Sequence, residues 1–135
     1  MDTFTASDRS FIMSRVKSKD TKPEIVVRSF LHHKGFRFRL HVKGLPGHPD
    51  IVLPKYKTVV EVRGCFWHRH QGCKAATMPS SNQAYWTEKF RRNVERDRKN
   101  AVALRKMGWR VIVVWECQLR KKSFWTRLPS RIAGE

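Results

Sequence analysis

The chain has 135 residues and carries 29 Lys and Arg against 11 Asp and Glu, a formal charge of +18 at pH 7. This length accommodates one domain with a hydrophobic core but not two, so we expect a single domain over residues 1–135. The charge exceeds what solubility requires and predicts a polyanionic partner, either nucleic acid or an anionic membrane surface. The longest apolar run, VIVVW at 111–115, is too short to span a bilayer.

The cysteines and the N-terminal residues bear on the cellular compartment. Three cysteines cannot all pair within one chain, so reduced thiols or thiolate ligands fit better than a disulfide framework. The N-terminal residues MDTFTASDRSFI lack the basic and apolar regions of a secretory signal, and we expect a soluble intracellular protein. Residues 1–20 are polar, basic and without a sustained period, which predicts a flexible arm that contacts the phosphate backbone.

A helix is the first predicted element. Thr21 and Glu24 have the spacing of a capping box, Pro23 lies in the first turn, and Gly35 is a natural stop. Five residues at helical spacing lie along one side of this helix and are expected to form its buried side: Ile25, Val26, Ser29, Phe30 and His33. The alternating segment FRFRLHV at 36–42 then predicts a half-buried strand.

A hairpin is predicted next, and it brings two carboxylates together. A strand that begins at Asp50, the loop PKYK and a second strand TVVEVR at 58–63 place Asp50 opposite Glu61, about 5 Å apart at Cβ. With Arg63 on the same strand face, the two carboxylates could share Mg²⁺, which suits phosphodiester hydrolysis in so basic a chain. The alternative is that Glu61 simply forms an ion pair with Arg63.

A long helix is predicted from about Gln83 to Met107, with one inward stripe of apolar residues: Trp86, Phe90, Val94, Ala101 and Leu104. Asp97 falls on this stripe, so a carboxylate is directed toward the sheet, as is typical of a functional site. WRVIVVW at 109–115 predicts a central strand buried on both faces, and a short helix with Ser123 as its cap is expected to extend through Ile132. The order of elements predicts an α/β domain with a mixed sheet in two or three layers.

The segment GCFWHRHQGC at 64–73 is the densest cluster of reactive residues. Three thiols and an imidazole match a closed, tetrahedral Cys₃His zinc site of the structural kind: Cys65, His70, Cys73 and Cys117. The alternative is that Cys117 is a small core residue and the loop cysteines are ordinary thiols. A polar loop of this length needs something to fix its shape, and zinc would do so.

Other residues in and near this loop have two interpretations each. If zinc fixes the loop, His68 lies near the proposed carboxylates and could accept a proton from water, whereas a phosphate contact is the alternative. The aromatic residues Phe66, Trp67 and Trp86 either pack in the core or insert between base pairs. The helix segment that contains Arg91 and Arg92 is either a solvated face or a set of phosphate contacts, and Arg63 is also expected to contact the DNA.

Five segments together match one known group of proteins: SRVKSKDTKPEIVVRSFLHHKGFRFRL, GLPGHPDIVLP, VRGCFWHRHQGC, YWTEKFRRNVERDRKN and GWRVIVVWEC. They resemble the very-short-patch mismatch repair endonucleases, a branch of the PD-(D/E)xK nuclease superfamily, over about residues 10–120. The resemblance implies a restriction-endonuclease-like core. It also implies a Mg²⁺-dependent endonuclease that nicks one strand of duplex DNA next to the T of a T:G mismatch, the product of 5-methylcytosine deamination.

The resemblance also implies roles for individual residues. Asp50 corresponds to the metal ligand and Val62 to the residue whose main-chain carbonyl helps to bind Mg²⁺, while His68 corresponds to the catalytic histidine. Glu24 and Asp97 correspond to the acidic residues that position this histidine or a metal-bound water. The structural zinc ligands correspond to Cys65, His70, Cys73 and Cys117, and the aromatic residues that insert into DNA to Phe66, Trp67 and Trp86. Glu61 has no counterpart, so its role rests on the hairpin alone.

The expected partner is double-stranded DNA with a T:G mismatch. We expect a monomer in the bacterial cytoplasm, at the nucleoid, and accessory repair proteins as further partners. Two other functions share some of these features. A restriction-type endonuclease that cuts perfect duplexes would share the carboxylates and the basic surface but would need no inserting aromatic residues. A zinc-stabilised DNA-binding module without catalysis would share the charge and the Cys₃His set. Cleavage of T:G and T:A duplexes, with Mg²⁺ or with a chelator, separates the three.

Overall fold

The structure is a computed structural model and describes residues 20–134. The predicted arm lies outside the described residues except for Asp20. The elements in chain order are α1 (Lys22–His33), β1 (Arg39–Leu40), β2 (Ile51–Leu53), β3 (Thr58–Arg63), α2 (Gln83–Lys106), β4 (Arg110–Trp115) and α3 (Lys122–Ala133), with 3₁₀ turns at Pro54–Tyr56 and Glu116–Arg120. Within the described part of the chain, none of the helices has the length and apolar character needed to cross a bilayer.

The four strands form one mixed sheet in the order β1-β2-β3-β4. The pairs β1–β2 and β2–β3 are antiparallel, whereas β4 runs parallel to β3 because α2 carries the chain back to the start of the sheet. The hairpin register is the predicted one, with Leu53 opposite Thr58 and Ile51 opposite Val60. Asp50 and Glu61 follow directly beyond the last of these pairs, at the same end of the hairpin.

Helices cover both faces of the sheet, so the domain has three layers. On one face, apolar side chains of α1 and α3 pack against alternate residues of β2, β3 and β4, among them Val27, Leu31, Ile51, Val60, Val114 and Leu128. On the other face Leu104 of α2 packs against Val52 and Val59. Successive side chains of each strand therefore enter the two cores alternately. Asp50 and Glu61 lie at the end of the hairpin, beyond its last residue pair.

The predicted buried side of α1 is wrong except for Phe30, which packs partly buried against the core. Ile25 and Val26 are 44% and 41% exposed, and the buried residues are Glu24, Val27 and Leu31. Two apolar stripes compete on this helix, and the one that packs on the sheet contains a carboxylate at its N-terminal end. A pattern based on apolar residues alone therefore favours the wrong stripe.

The strand β4 is an edge strand among the described residues rather than a central one. Its buried residues, Ile112 and Val114, lie on one face, and the residues between them are only partly covered. The apolar residues of β4 are explained by the helices that pack on it, and they do not require a strand on each side. The first strand is also shorter than predicted, with only Arg39–Leu40 paired.

Two details of the helices differ from the prediction. Val94 is 45% exposed, and Asn93 takes the buried position on α2 in its place. The last helix begins at Lys122 with Lys121 as its N-cap, so Ser123 lies within the first turn and does not cap it. The bounds of α2 agree with the prediction to one residue at its end.

Candidate functional site

Asp50 is fixed at the end of the hairpin by the main chain of the neighbouring strand. Its Oδ2 accepts a hydrogen bond of 3.0 Å from the backbone N–H of Val62. The pKa of Asp50 is raised to about 6, chiefly by burial and to a smaller extent by the carboxylates of Glu24 and Glu61, against the opposing effects of that N–H and of His41. Negative charges therefore converge on Asp50, which is the electrostatic condition of a site that takes a cation.

Glu24 approaches Asp50 from the N-terminus of α1 and is only 2% exposed. Its backbone N–H donates to Thr21 Oγ1 at 3.4 Å, which is half of the predicted capping box. Its side chain accepts instead from the backbone N–H of Asp20, at 3.1 Å to Oε2. The other oxygen, Oε1, is buried and makes no well-aligned hydrogen bond, but His41 Nε2 lies 3.1 Å and Arg28 Nη1 3.6 Å from it. Burial raises the pKa of Glu24 against the effect of these two groups, so the carboxylate is balanced by neighbouring charges and does more than cap the helix.

His41 joins this group and was missed by sequence reasoning. Its Nε2 lies 3.1 Å from both Asp20 Oδ1 and Glu24 Oε1, and its backbone N–H donates to the carbonyl of Asp50 at 3.3 Å. Asp20, Glu24 and His41 could together hold a metal ion, but Arg28 Nη1 already lies 2.8 Å from Asp20 Oδ1. No local pattern points to His41, because it is 21 residues from Asp20 and within a segment predicted to be an ordinary strand.

His68 and Asp97 form the second part of the site. His68 Nδ1 donates to Asp97 Oδ2 at 2.7 Å, which joins the loop after β3 to the middle of α2. Asp97 is half-buried on the inward side of the helix, as its position in the apolar stripe predicted. Because Nδ1 is held by the carboxylate, the ring has a fixed orientation, and Nε2 is the nitrogen available to accept a proton.

The predicted zinc ligands come together. Ligand atoms of Cys65, His70, Cys73 and Cys117 all lie within 4.8 Å of one another and could hold a metal ion. The ring of His70 stacks on Trp115 with centroids 4.2 Å apart, and its Nδ1 lies 3.4 Å from Cys117 Sγ. The two histidines of the loop therefore face different partners.

The chemistry of this cluster fits a soft divalent cation. Burial raises the pKa of the Cys65 thiol to about 11, whereas the backbone N–H of Ala75 lowers the pKa of Cys73. A buried thiol of this kind is neutral at physiological pH unless a cation stabilises its thiolate. Three sulfurs and one imidazole nitrogen are the donor set of a closed zinc site.

The loop between β3 and α2 has no helix or strand before Gln83, and its shape comes from turns and from contacts with α2. Backbone N–H groups of His68 and His70 donate to the carbonyls of Gly64 and Cys65 at 3.1 and 3.0 Å. Asn93 Nδ2 donates to the carbonyl of Trp67 at 3.0 Å from the buried side of α2. Arg69 binds three further carbonyls of the loop. Sequence reasoning missed both Asn93 and Arg69.

The predicted DNA-inserting aromatic residues form one cluster. Phe66 lies 4.8 Å from Trp67 and 6.2 Å from Trp86 between ring centroids, and Trp86 lies 5.6 Å from Phe90. Phe66 and Trp67 are half-buried, whereas Trp86 is 5% exposed and its Nε1 lies buried without a hydrogen-bond partner. Phe66 and Trp67 thus lie on the accessible side of the cluster, and Trp86 lies beneath them.

The remaining charged candidates are paired within the chain. Arg63 Nη2 lies 2.6 Å from Glu61 Oε2, and each side chain is only 13% exposed, which is the ion pair considered as the alternative for Glu61. Arg91 and Arg92 both pair with Glu88 at distances of 2.7 and 3.2 Å, but they are 62% and 70% exposed. Exposed pairs of this kind exchange readily for a phosphate, because they contribute little free energy.

Comparisons with known proteins identify relatives of this chain. The family described as "DNA mismatch endonuclease Vsr" matches residues 1–74. Type II nicking enzyme V.NmeAIP of Neisseria meningitidis serogroup A is 50% identical over 134 residues, 99% of this chain and 95% of that protein. V.XorIIP of Xanthomonas oryzae pv. oryzae, also a type II nicking enzyme, is 49% identical over 118 residues, 87% of this chain and 86% of that protein.

The DNA mismatch endonuclease Vsr of Escherichia coli strain K12 is 39% identical over 140 residues, 99% of this chain and 89% of that protein. The resemblance inferred from the sequence is therefore confirmed over nearly the whole chain. These relatives and the family match show that the chain is a DNA endonuclease that belongs to the DNA mismatch endonuclease Vsr family.

Proposed function

We propose that the protein nicks one strand of duplex DNA next to the T of a T:G mismatch, with Mg²⁺ as cofactor, in the repair of deaminated 5-methylcytosine. Two observations carry this proposal: the acidic side chains of Glu24 and Glu61 act on Asp50 at the end of the hairpin, and Asp97 orients the imidazole of His68. Membership of the family supports an endonuclease of DNA, and the E. coli relative is named for mismatches. The charge of +18 supplies the attraction to the phosphate backbone.

The end of the hairpin that carries Asp50 and Glu61 offers oxygen donors that suit a Mg²⁺ ion. Asp50 would hold it together with the main-chain carbonyl of Val62, because hard oxygen donors are what Mg²⁺ prefers. When bound, the ion supplies Lewis-acid polarisation of the phosphate that is cut. Glu24 completes the negative environment from the side of α1, while Glu61 adds charge near Asp50 and pairs with Arg63 rather than serving as a ligand.

His68 is the proposed general base. Its Nδ1 is bonded to Asp97, which leaves Nε2 to take the proton from the attacking water and lets the carboxylate stabilise the imidazolium that forms. The water oxygen would bond to phosphorus in line with the P–O3′ bond, that bond would break, and the departing 3′ oxygen would take a proton from solvent. Because Asp97 lies on a long helix and His68 on a loop, the base acts only if the loop keeps its shape.

The Cys/His cluster supplies that shape in our proposal, with zinc held by Cys65, His70, Cys73 and Cys117 as a structural ion. Phe66 and Trp67 extend from the same loop and would insert beside the mismatch, with Trp86 behind them. Exposed Arg91 and Arg92 on α2 are suited to contacts with phosphates, and Arg63 is suited to charge balance at the carboxylates.

The wider setting belongs to the same proposal. The mixed sheet with helices on both faces supports a restriction-endonuclease-like core. We expect the protein to act as a monomer on chromosomal DNA at the nucleoid in the bacterial cytoplasm, and accessory repair proteins are expected to complete the repair. A single site at the end of one hairpin suits a cut in one strand.

The test is strand-resolved cleavage. T:G and T:A duplexes of the same sequence are labelled at the end of either strand and incubated with the protein, with Mg²⁺ or with a chelator. We expect one nick, in the strand that contains the mismatched T, only with Mg²⁺. Equal cutting of both duplexes would indicate a restriction-type enzyme, and binding without any nick would indicate a DNA-binding module.

A further inference from the structure

Arg69, which lies between the proposed base and a proposed zinc ligand, turns its side chain back onto its own loop. Its Nη1 donates to the carbonyls of Phe66 and Thr77 at 3.3 and 2.8 Å, and its Nη2 donates to the carbonyl of Ala76 at 2.9 Å. Three carbonyls from two ends of the loop therefore meet on one guanidinium. The fixed planar fork of arginine suits such an arrangement, whereas the single ammonium of lysine does not.

The same guanidinium contacts the helix that carries Asp97. Its carbon Cζ lies 4.0 Å from the centroid of the Phe90 ring and 5.6 Å from that of Phe66. A cation over an aromatic face is attracted by the ring, more strongly when both are partly removed from water. Arg69 thus joins the first part of the loop, its last part and α2 at one point.

The backbone of Arg69 shows that this side chain offsets a conformational cost. Its φ is +55°, in the left-handed region, where a residue with a Cβ is strained and glycine is not. Glycine would be the simplest residue at such a position. The three hydrogen bonds and the ring contacts of the arginine side chain offset this conformational cost.

We infer that Arg69 is a positioning residue for the nicking reaction. Its guanidinium closes residues 66–77 into the shape that keeps His68 against Asp97. It acts through His68 and not on the DNA, because three of its five N–H donors bind main-chain carbonyls and hold the guanidinium against its own loop. This inference rests on the proposed function, since it assigns to His68 the role of the base.

The test uses three variants of the full-length protein as purified, each with its metal content measured. Arg69→Gly removes the guanidinium and relieves the strained φ, and Arg69→Lys keeps the charge without the fork. Arg127→Ala removes one positive charge from an exposed position on α3, on the opposite face of the sheet from α2, and serves as the control.

Nicking is measured under single-turnover conditions, and binding of the same T:G duplex is measured separately in chelator. We expect Arg69→Gly to nick about tenfold to a hundredfold more slowly, because a small misplacement of a reacting group costs this much. Its Kd for the duplex should match that of Arg127→Ala within about twofold. Arg69→Lys should remain as slow as Arg69→Gly, and guanidinium chloride at non-denaturing millimolar concentration should restore part of the rate of Arg69→Gly, whereas NaCl should not.

Hydrogen exchange supplies a measure that does not depend on nicking. The amides of His68, His70, Cys73 and Ala76 are bonded to loop carbonyls, and we expect them to exchange at least about tenfold faster in Arg69→Gly, with no change in β3. Unchanged exchange would overturn the inference, as would a loss of affinity equal to the loss of rate, which marks a phosphate contact. If the wild-type protein does not nick but its loop amides respond as expected, the proposed function fails while the positioning of the loop by Arg69 stands.

Discussion

The two parts of the candidate site are held in different ways. Asp50 lies at the end of a paired hairpin, and the main chain of Val62 fixes its carboxylate. His68 lies in a loop without regular secondary structure, whose shape depends on a Cys/His cluster, on turns and on side chains that connect it to α2. We refer to these as the hairpin part and the loop part of the site.

The difference between the two parts has a physical consequence. A strand register moves only if a whole ladder of hydrogen bonds shifts, so the position of Asp50 resists small perturbations. The loop part has no such ladder, and each of its contacts contributes separately. We therefore expect substitutions in the hairpin part to change the chemistry at Asp50 without moving it, and substitutions in the loop part to change the position of His68.

The largest effect should come from Asp50→Asn. The amide can still accept the hydrogen bond from Val62, but it carries no charge to bind a cation. We expect the nicking rate to fall by about a thousandfold or more, while binding to a T:G duplex in the absence of Mg²⁺ changes little. Single-turnover cleavage and a separate binding titration provide the two values. A variant that still nicks at the wild-type rate would show that the metal assignment is wrong.

A smaller effect is expected from Asp97→Asn, which tests the loop part. The amide keeps the size of the carboxylate but no longer stabilises a positively charged His68, so the rate should fall roughly a hundredfold. The dependence on Mg²⁺ concentration should stay as in the wild type, because the hairpin part is intact. Mg²⁺ titrations of the nicking rate check this, and an increased requirement for Mg²⁺ would place Asp97 at the metal instead.

Asp50→Asn should also stabilise the protein when no divalent cation is present. The pKa of Asp50 is raised from 3.8 to about 6, a shift that corresponds to roughly 3 kcal/mol. Between these two pH values the folded state binds more protons than the unfolded state, so the contribution of Asp50 to stability falls as the pH rises through this window and stays low above it.

Denaturant unfolding of both proteins in chelator, at pH 4 and pH 7.5, measures this effect. At pH 7.5 Asp50→Asn should be more stable than the wild type by up to about 3 kcal/mol, and at pH 4 the two should be nearly equal. Equal stability at both pH values would mean that the carboxylate is not buried near other negative charges.

The smallest effect on nicking should come from Glu61→Gln. Glu61 pairs with Arg63 at 2.6 Å, so its loss should change the rate by less than about threefold and lower the free energy of unfolding by about 1 kcal/mol. A large loss of rate together with an increased requirement for Mg²⁺ would instead make Glu61 a metal ligand. The same Mg²⁺ titration used for Asp97→Asn distinguishes these results.

The hairpin part could be predicted well because its signals are local. Alternation along the strands and the length of the PKYK loop fix the register of Leu53 with Thr58, and the position of Asp50 follows from it. Asp97 could be predicted for a similar reason, since one carboxylate interrupts a regular apolar stripe. The grouping of the cysteines with His70 followed from the donor set that zinc requires.

The rest of the site depends on contacts that no local pattern encodes. His41 reaches Asp20 across 21 residues, and Asn93 reaches the carbonyl of Trp67 across 26. Nothing in the sequence distinguishes Arg69 from other basic loop residues, because its three carbonyl partners meet it only in the folded loop. The buried side of α1 was mispredicted because Glu24, a functional candidate, lies on it in place of an apolar residue.

The central claim is that the hairpin part and the loop part act on the same bond in the same step. A double-variant cycle of Asp50→Asn and Asp97→Asn, measured as single-turnover nicking of a T:G duplex, tests it most directly. If the two parts act as a unit, the double variant should be only as slow as Asp50→Asn alone, about a thousandfold below wild type. If the two losses multiply to roughly a hundred-thousandfold, the parts act independently and the claim is contradicted.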